Sequence, residues 1–465
     1  MSPVLLILIF YVGLQLALGL WVSRRVKSQK DYLLGGRSLG LTLCAASMFA
    51  TWFGAETCIG ASGEVYAHGL GAVSADPFGY GVCLLLFGFF IAGELRKRGY
   101  VTLADLFGER FSRKVERVVA LILLPGSVLW AAAQIRAFGH VFASASEGLD
   151  PALGIALAGA VTILYTASGG LLADVYTDLL QGIVLVVTLV ALTIIVFAGV
   201  GSVDAVLARA TEGSAGAEAS GAFVTLNDWA VPIAGSLFTQ EIISRALASR
   251  TAVIARRAAL IAGTIYLVVG SIPVLLALVA REVLPQTEAF EQVLPLLSRH
   301  ALGELGFVIF SGALVSAILS TVDSALLACG ALIVHNLVGQ RAGALSDLAR
   351  LRLTRLSVVG LGLVACAFAA LGGSVHSLVE ESSALGSAGL FVAGLLGLFT
   401  RFGGARAALA SLLIGAGTYV YAQHVLESEV AYLASICGAL VGYALGALAD
   451  TRLAGLEQVS SPAPR

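Results

Sequence analysis

The chain has 465 residues, 58% of them hydrophobic and only 12% charged, with a mean hydropathy of +0.93, whereas a soluble domain carries about a quarter charged residues. Its 28 lysines and arginines nearly balance 29 acidic residues, so net charge points to no nucleic acid or acidic partner. The composition excludes a soluble enzyme and predicts an all-α integral membrane protein that crosses the bilayer many times.

A helix needs about 20 apolar residues to cross a bilayer, and lipid leaves no backbone polar group unpaired. Thirteen segments meet this demand: 4–22, 39–67, 71–95, 117–145, 150–167, 172–200, 228–247, 257–280, 302–338, 354–373, 376–400, 405–424 and 429–449. The short alternating segments of a β-barrel do not occur. The longest polar connections lie near 201–227 and 339–352, which leaves no room for a fused kinase, ATPase or hydrolase. Neither G-x-x-x-x-G-K-[ST] nor G-x-S-x-G occurs, so the chain is read as no enzyme, and energy for transport would come from an ion gradient.

Lysine and arginine mark the cytoplasmic loops of membrane proteins. With thirteen spans, the basic groups from Arg24 to Arg37, Arg96 to Arg117, Arg245 to Arg257, Arg341 to Arg355 and Arg401 to Arg406 fall on one side, with the 452–465 tail. Arg136, Arg209, Arg281 and Arg299 fall elsewhere. The expected topology places the N-terminus outside and the C-terminus in the cytoplasm of a cell with an inner (plasma) membrane location. The first span, 4–22, lacks a basic leader region and a cleavage site, and is read as a retained helix. Cys44, Cys58, Cys83, Cys329, Cys366 and Cys437 sit singly in apolar segments, which suits packing and predicts neither disulfide nor metal cluster.

The second span carries A-T-W-F-G-A-E-T-C-I-G-A-S-G-E-V-Y from Ala50 to Tyr66. Gly54, Gly60 and Gly63 weaken this helix, each by about 1 kcal/mol, and Glu56 is a carboxylate at membrane depth, costing about 2.5 kcal/mol or more. The seventh span runs the other way and carries P-I-A-G-S-L-F-T-Q-E-I-I-S-R from Pro232 to Arg245, with Gly235 and Glu241. Interrupted helices at matching places in oppositely oriented halves point to an inverted-repeat transporter with a midplane site. The expected division is a leading helix at 4–22, a first repeat at 39–200, a second at 228–400 and two trailing helices at 405–449. In the ninth span, helical spacing places Ala317, Ser320, Thr321 and Ser324 on one face. Such a face of hydroxyls and carbonyls suits a hard alkali cation; the alternative is that these groups bond to their own backbone or to a neighbouring helix.

These segments resemble the sodium:solute symporter family along nearly the whole chain. The resemblance rests on D-Y-L-L-G-G-R-S-L-G at Asp31 to Gly40, S-G-G-L-L-A-D-V-Y-T-D-L-L-Q-G at Ser168 to Gly182, T-Q-E-I-I-S-R-A-L at Thr239 to Leu247, A-I-L-S-T-V-D-S at Ala317 to Ser324, and G-L-L-G-L-F-T-R at Gly394 to Arg401. D-P-F-G-Y at Asp76 to Tyr80, L-R-K-R-G-Y-V-T-L at Leu95 to Leu103 and L-W-A-A-A at Leu129 to Ala133 are most similar to its high-affinity choline transporter branch. The resemblance implies a LeuT-like five-plus-five fold that co-transports sodium with a small solute by alternating access, with no partner beyond solute, ion and lipid.

It implies sodium ligands at the Ala317 carbonyl and the Ser320 and Thr321 hydroxyls, completed by the carbonyls of Ala50 and Phe53. Asp178 matches a family carboxylate on the inward sodium route, or else packs helices through a hydroxyl. Trp52, Thr57, Tyr80, Trp130, Thr239, Gln240 and Glu380 match positions that contact solute in relatives; the bland alternative is aromatic packing, and a solvated Glu380 and Glu381 pair. Glu56 is placed at the solute site or in a structural or gating role, Asp323 has a structural alternative, and Asp76 with Arg136 is expected as an outer ion pair. Glu56, Glu241 and Glu380 together favour a cationic or zwitterionic amine over a bare carboxylate, although Thr239 stands where the choline branch has a tryptophan. A transport-inactive sensor and a carrier of sugars or carboxylates are the competing readings.

Overall fold

The computed structural model describes residues 29–70, 77–144, 150–169, 171–199, 221–284, 290–339 and 345–460, with residues 10, 13, 14 and 17. The expected span at 4–22 and Asp76 therefore lie outside the described residues, apart from those four positions. The described residues form helices: α1 (Gln29–Leu34), α2 (Leu41–Ala50), a wide π-type turn at Glu56–Ala61 leading into α3 (Ser62–His68), and α4 (Phe78–Arg98). They continue with α5 (Leu103–Arg110), α6 (Arg113–Ser144), α7 (Pro151–Gly169) and α8 (Leu171–Gly199). Next come α9 (Ala222–Ala230), extended by a π-type turn at Val231–Gly235, α10 (Gln240–Ala248), α11 (Ala252–Val283) and α12 (Val293–Ala331). The chain ends in α13 (Asp347–Leu371), α14 (Val375–Ala384), α15 (Ser387–Phe399), α16 (Ala405–His424) and α17 (Ala431–Ser460).

Seven of these helices are long and apolar enough to cross a bilayer, or eight with α14 and α15 taken as one span bent by 41°. Of the remaining expected spans within the described residues, α7 and α16 are unbroken helices of 19 and 20 residues, and two are broken. The second is α2 and α3 separated at Thr51–Gly54, and the seventh is α9 and α10 separated at Ser236–Thr239. The ninth begins earlier than expected, at Val293, because Gly303 (φ 69°, ψ −170°) turns a short outer piece into the long helix. Only glycine adopts that backbone without strain.

Local chemistry sets the ends. Thr251 caps α11 by accepting the Ile254 N–H at 3.2 Å, Ser374 caps α14 through the Ser377 N–H at 3.1 Å, and Thr102 with Asp105 forms a capping box on α5. Along α8, Leu180, Ile183, Val187, Val190 and Ile194 are exposed, the 3 and 4 spacing of a single stripe left to lipid. Its other face, with Asp174, Asp178, Gln181, Leu185 and Leu189, is buried. There α8 packs on α2 and α12, α12 also packs on α6, and α11 packs on α2 and α4. The two broken helices thus lie inside a wall of continuous ones.

Candidate functional site

Between Ala50 and Gly54 the backbone leaves the helical ladder against α12. A Cβ placed on Gly54 would lie 3.5 Å from Cβ of Ala317, so this break rests on the hydroxyl face of α12. Thr321 donates to the Ala317 carbonyl at 2.9 Å and lies 3.3 Å from the Ala50 carbonyl. Ala50, Phe53, Ala317, Ser320 and Thr321 are all buried. Phe53 precedes Gly54 in the break and stacks on Phe49, with ring centroids 4.7 Å apart.

Beneath this face lies a polar cluster that spacing alone does not reveal. Asp178 accepts the Ser47 hydroxyl at 2.5 Å and the hydroxyl of Ser320, which joins α8 to α2 and α12. One turn earlier, Asp174 is paired with Arg245 at 2.8 Å and lies 2.8 Å from the Ser324 hydroxyl. Arg245 also donates from Nε to Ser47 at 3.2 Å. Asp323 is fully buried near Thr166 of α7. Counting Arg245 among the basic loop residues is therefore corrected: it is fully buried and neutralises Asp174 within the helices. The signal available in the sequence was an arginine four residues after Glu241 in a segment already read as a span.

The aromatic residues meet on the other side of the breaks. Trp52 and Tyr80 have ring centroids 5.4 Å apart, and Tyr80 and Trp130 6.3 Å apart, both edge-on. A cavity of about 40 Å³ opens beside them, bordered by Trp52, Trp130, Phe238, Thr239, Gln240 and Glu241. It has room for roughly three waters, so an organic solute enters only if a neighbouring helix shifts. Tyr80 fixes its hydroxyl on Ser383 at 3.0 Å, and Ser383 lines the cavity with Ser236, their hydroxyls 3.3 Å apart.

Other expected solute residues stand apart from that cavity. Glu380 is exposed and outside the cavity lining; α14 turns Ser382 and Ser383 inward in its place. Thr57 spends its hydroxyl on Tyr266, 2.9 Å away, and Tyr266 donates to the Trp52 carbonyl at 3.2 Å, so Thr57 braces the break from behind. Glu56 is fully buried and is not part of the lining. Gln240 touches the cavity, but its amide is occupied: Oε1 accepts the Leu103 N–H at 2.7 Å and Nε2 donates to Ser244 at 2.9 Å. Arg136 donates to the Ala369 carbonyl at 3.0 Å, and its expected partner Asp76 is outside the described residues.

A family model described as "Sodium:solute symporter family" matches residues 32–415. The high-affinity choline transporter 1 of Drosophila melanogaster is 26% identical over 405 residues, covering 83% of this chain and 64% of that one. That of Homo sapiens is 27% identical over 407 residues, covering 82% of this chain and 69% of that one. The chain thus spans less than two thirds of the fly relative's length. Among solved structures, the substrate-bound outward-open state of a Na+-coupled sialic acid symporter superposes with a TM-score of 0.82 at 16% identity, covering 96% of this chain and 98% of that one. At that identity the likeness shows the fold: an all-helical, multi-pass LeuT-type membrane protein.

Proposed function

Because the chain belongs to the sodium:solute symporter family, we propose that it couples inward sodium movement to uptake of a small organic solute, an amine that is cationic or zwitterionic. The observation that carries the coupling is the Thr321 hydroxyl set between the Ala50 and Ala317 carbonyls, where a broken helix exposes carbonyl oxygens beside a row of hydroxyls. Sodium takes such oxygens in place of water. Its ligands are Ala50, Phe53, Ala317, Ser320 and Thr321, and Asp178, hydrogen-bonded to Ser320, lies on its way inward. Trp52, Tyr80, Trp130 and Thr239 hold the solute. Residues 39–200 and 228–400 act as the two inverted halves, with the basic loops cytoplasmic and the N-terminus outside.

An ion that joins α12 to the broken α2 favours one arrangement of the halves and with it the solute site, and linkage then requires solute to tighten sodium by the same factor. Each charge moved inward gains about 2.3 kcal/mol at 100 mV. The test is the double variant Ser320→Ala with Thr321→Ala, measured by sodium-dependent thermal stabilisation and by uptake into proteoliposomes. Half-saturating sodium should rise more than tenfold while the protein still folds. Sodium dependence like that of the unaltered chain would remove the site.

A further inference from the structure

We propose that Glu241 is the counter-ion for the ammonium group of the cargo, an assignment that rests on the amine-symport reading above and names the atom that selects the charge. Glu241 stands in the first turn of α10, just past the break. It is 5% exposed and borders the cavity together with Trp52, Trp130 and Phe238. Its Oε1 accepts the Ser127 hydroxyl at 2.5 Å, and Ser127 borders the same cavity.

Arg245, one turn further along α10, is spent on Asp174 at 2.8 Å and reaches Glu241 only at its backbone carbonyl, 3.2 Å away. Among the described residues no lysine, arginine or histidine forms an ion pair with the Glu241 carboxylate. A carboxylate buried among apolar groups is costly unless a cation joins it. Here the space beside it is walled by two indoles and a phenyl ring, whose faces attract an ammonium group. A sugar ring or a bare carboxylate would bring no positive charge to the buried carboxylate. Glu380 is not that carboxylate, being exposed outside the cavity. The hydroxyls of Ser236 and Ser383, bonded to each other and, at Ser383, to Tyr80, border the same cavity and face the polar end of the cargo.

The experiment uses the full chain, purified in sodium, and three probes read by thermal stabilisation: tetramethylammonium, choline, and 3,3-dimethylbutanol, the uncharged isostere of choline. In the unaltered chain the isostere should bind at least tenfold more weakly than choline. Glu241→Gln should raise half-saturating choline and tetramethylammonium at least tenfold and leave the isostere unchanged, while stabilisation by sodium alone shifts less than twofold; Glu241→Asp should fall between. Choline binding retained in Glu241→Gln overturns the assignment, as does an isostere that binds as well as choline. So does an unaltered chain that responds to sodium but to neither cationic probe. A chain that does not respond to sodium at all fails earlier and overturns the symport reading itself.

Discussion

Asp178 accepts hydroxyl protons from Ser47 and Ser320, which belong to two different helices, so both of its oxygens are committed while Ser320 is also one of the proposed sodium ligands. An ion moving past Ser320 meets that carboxylate next. Asparagine in its place keeps one acceptor and turns the other oxygen into a donor facing a hydroxyl, which disturbs the ion route and leaves the aromatic cavity untouched. Asp178→Asn should shift half-saturating sodium in uptake by at least fivefold and change solute binding without sodium by less than threefold. Equal losses in both would place Asp178 in the solute site. The hydroxyl face around it was legible because residues three and four apart share a side of a helix, whatever surrounds them. The Asp174–Arg245 pair was not, since a charged residue in a sequence does not announce whether it lies in a loop or faces its partner 71 positions away. The inward place of Ser382 and Ser383 beside an exposed Glu380 was not legible for a related reason: a turn of α14 decides which side chain faces inward, and neighbouring helices set that turn.

At the scale of helices, apolar length revealed the long spans and glycine hinted at the broken ones, but not at where they break. Of Gly54, Gly60 and Gly63, only Gly54 lies in the break at Thr51–Gly54. Gly60 and Gly63 stay in helical turns and admit close neighbours: a Cβ on Gly60 would lie 3.5 Å from the His376 backbone, and one on Gly63 3.1 Å from the Phe290 carbonyl. Gly235 is the tightest case at the second break. A Cβ there would stand 2.4 Å from the Ser383 carbonyl oxygen, backbone that cannot swing aside, whereas Gly54 has only ordinary contacts at 3.5 Å. Gly235→Ala should therefore push α14 away from the end of α9, costing about 1 to 3 kcal/mol of stability and widening the cavity between Ser236 and Ser383. Gly54→Ala should leave the melting temperature close to that of the unaltered chain. Equal melting temperatures for the two variants would mean that α9 and α14 do not depend on this contact.

Across the whole molecule, α5 is tied to the π-type turn Leu332–Val338 that continues α12 by a polar knot at the end that carries the basic loops. Asp105 accepts the backbone N–H groups of Val101 at 2.8 Å and Thr102 at 3.1 Å. It also meets His335 at 3.0 Å and the Asn336 amide at 2.9 Å. Asn336 reaches on to Glu116 of α6 at 3.0 Å and accepts from Thr102 at 2.8 Å. Burial works to raise the Asp105 pKa, but the hydrogen bond and charge of His335, with the two backbone donors, outweigh it and hold the carboxyl below its usual range. A carboxylate whose folded pKa is depressed stabilises the fold above its unfolded pKa of about 3.9, and that contribution is lost as pH falls through the folded value. Asp105→Asn removes the charge at every pH. Its melting temperature should lie a few degrees below that of the unaltered chain while His335 is protonated, with a deficit that narrows at higher pH as His335 loses its charge and that closes below about pH 4 as Asp105 itself is protonated. Because the knot joins α5, α6 and the turn that continues α12 where the cytoplasmic mouth is proposed, the same variant should make that mouth easier to open, read as faster labelling of a cysteine placed at Gln240 from the basic-loop side. Unchanged melting while His335 is protonated, or a deficit that widens on acidification below pH 4, would show that Asp105 does not hold this end of the molecule together.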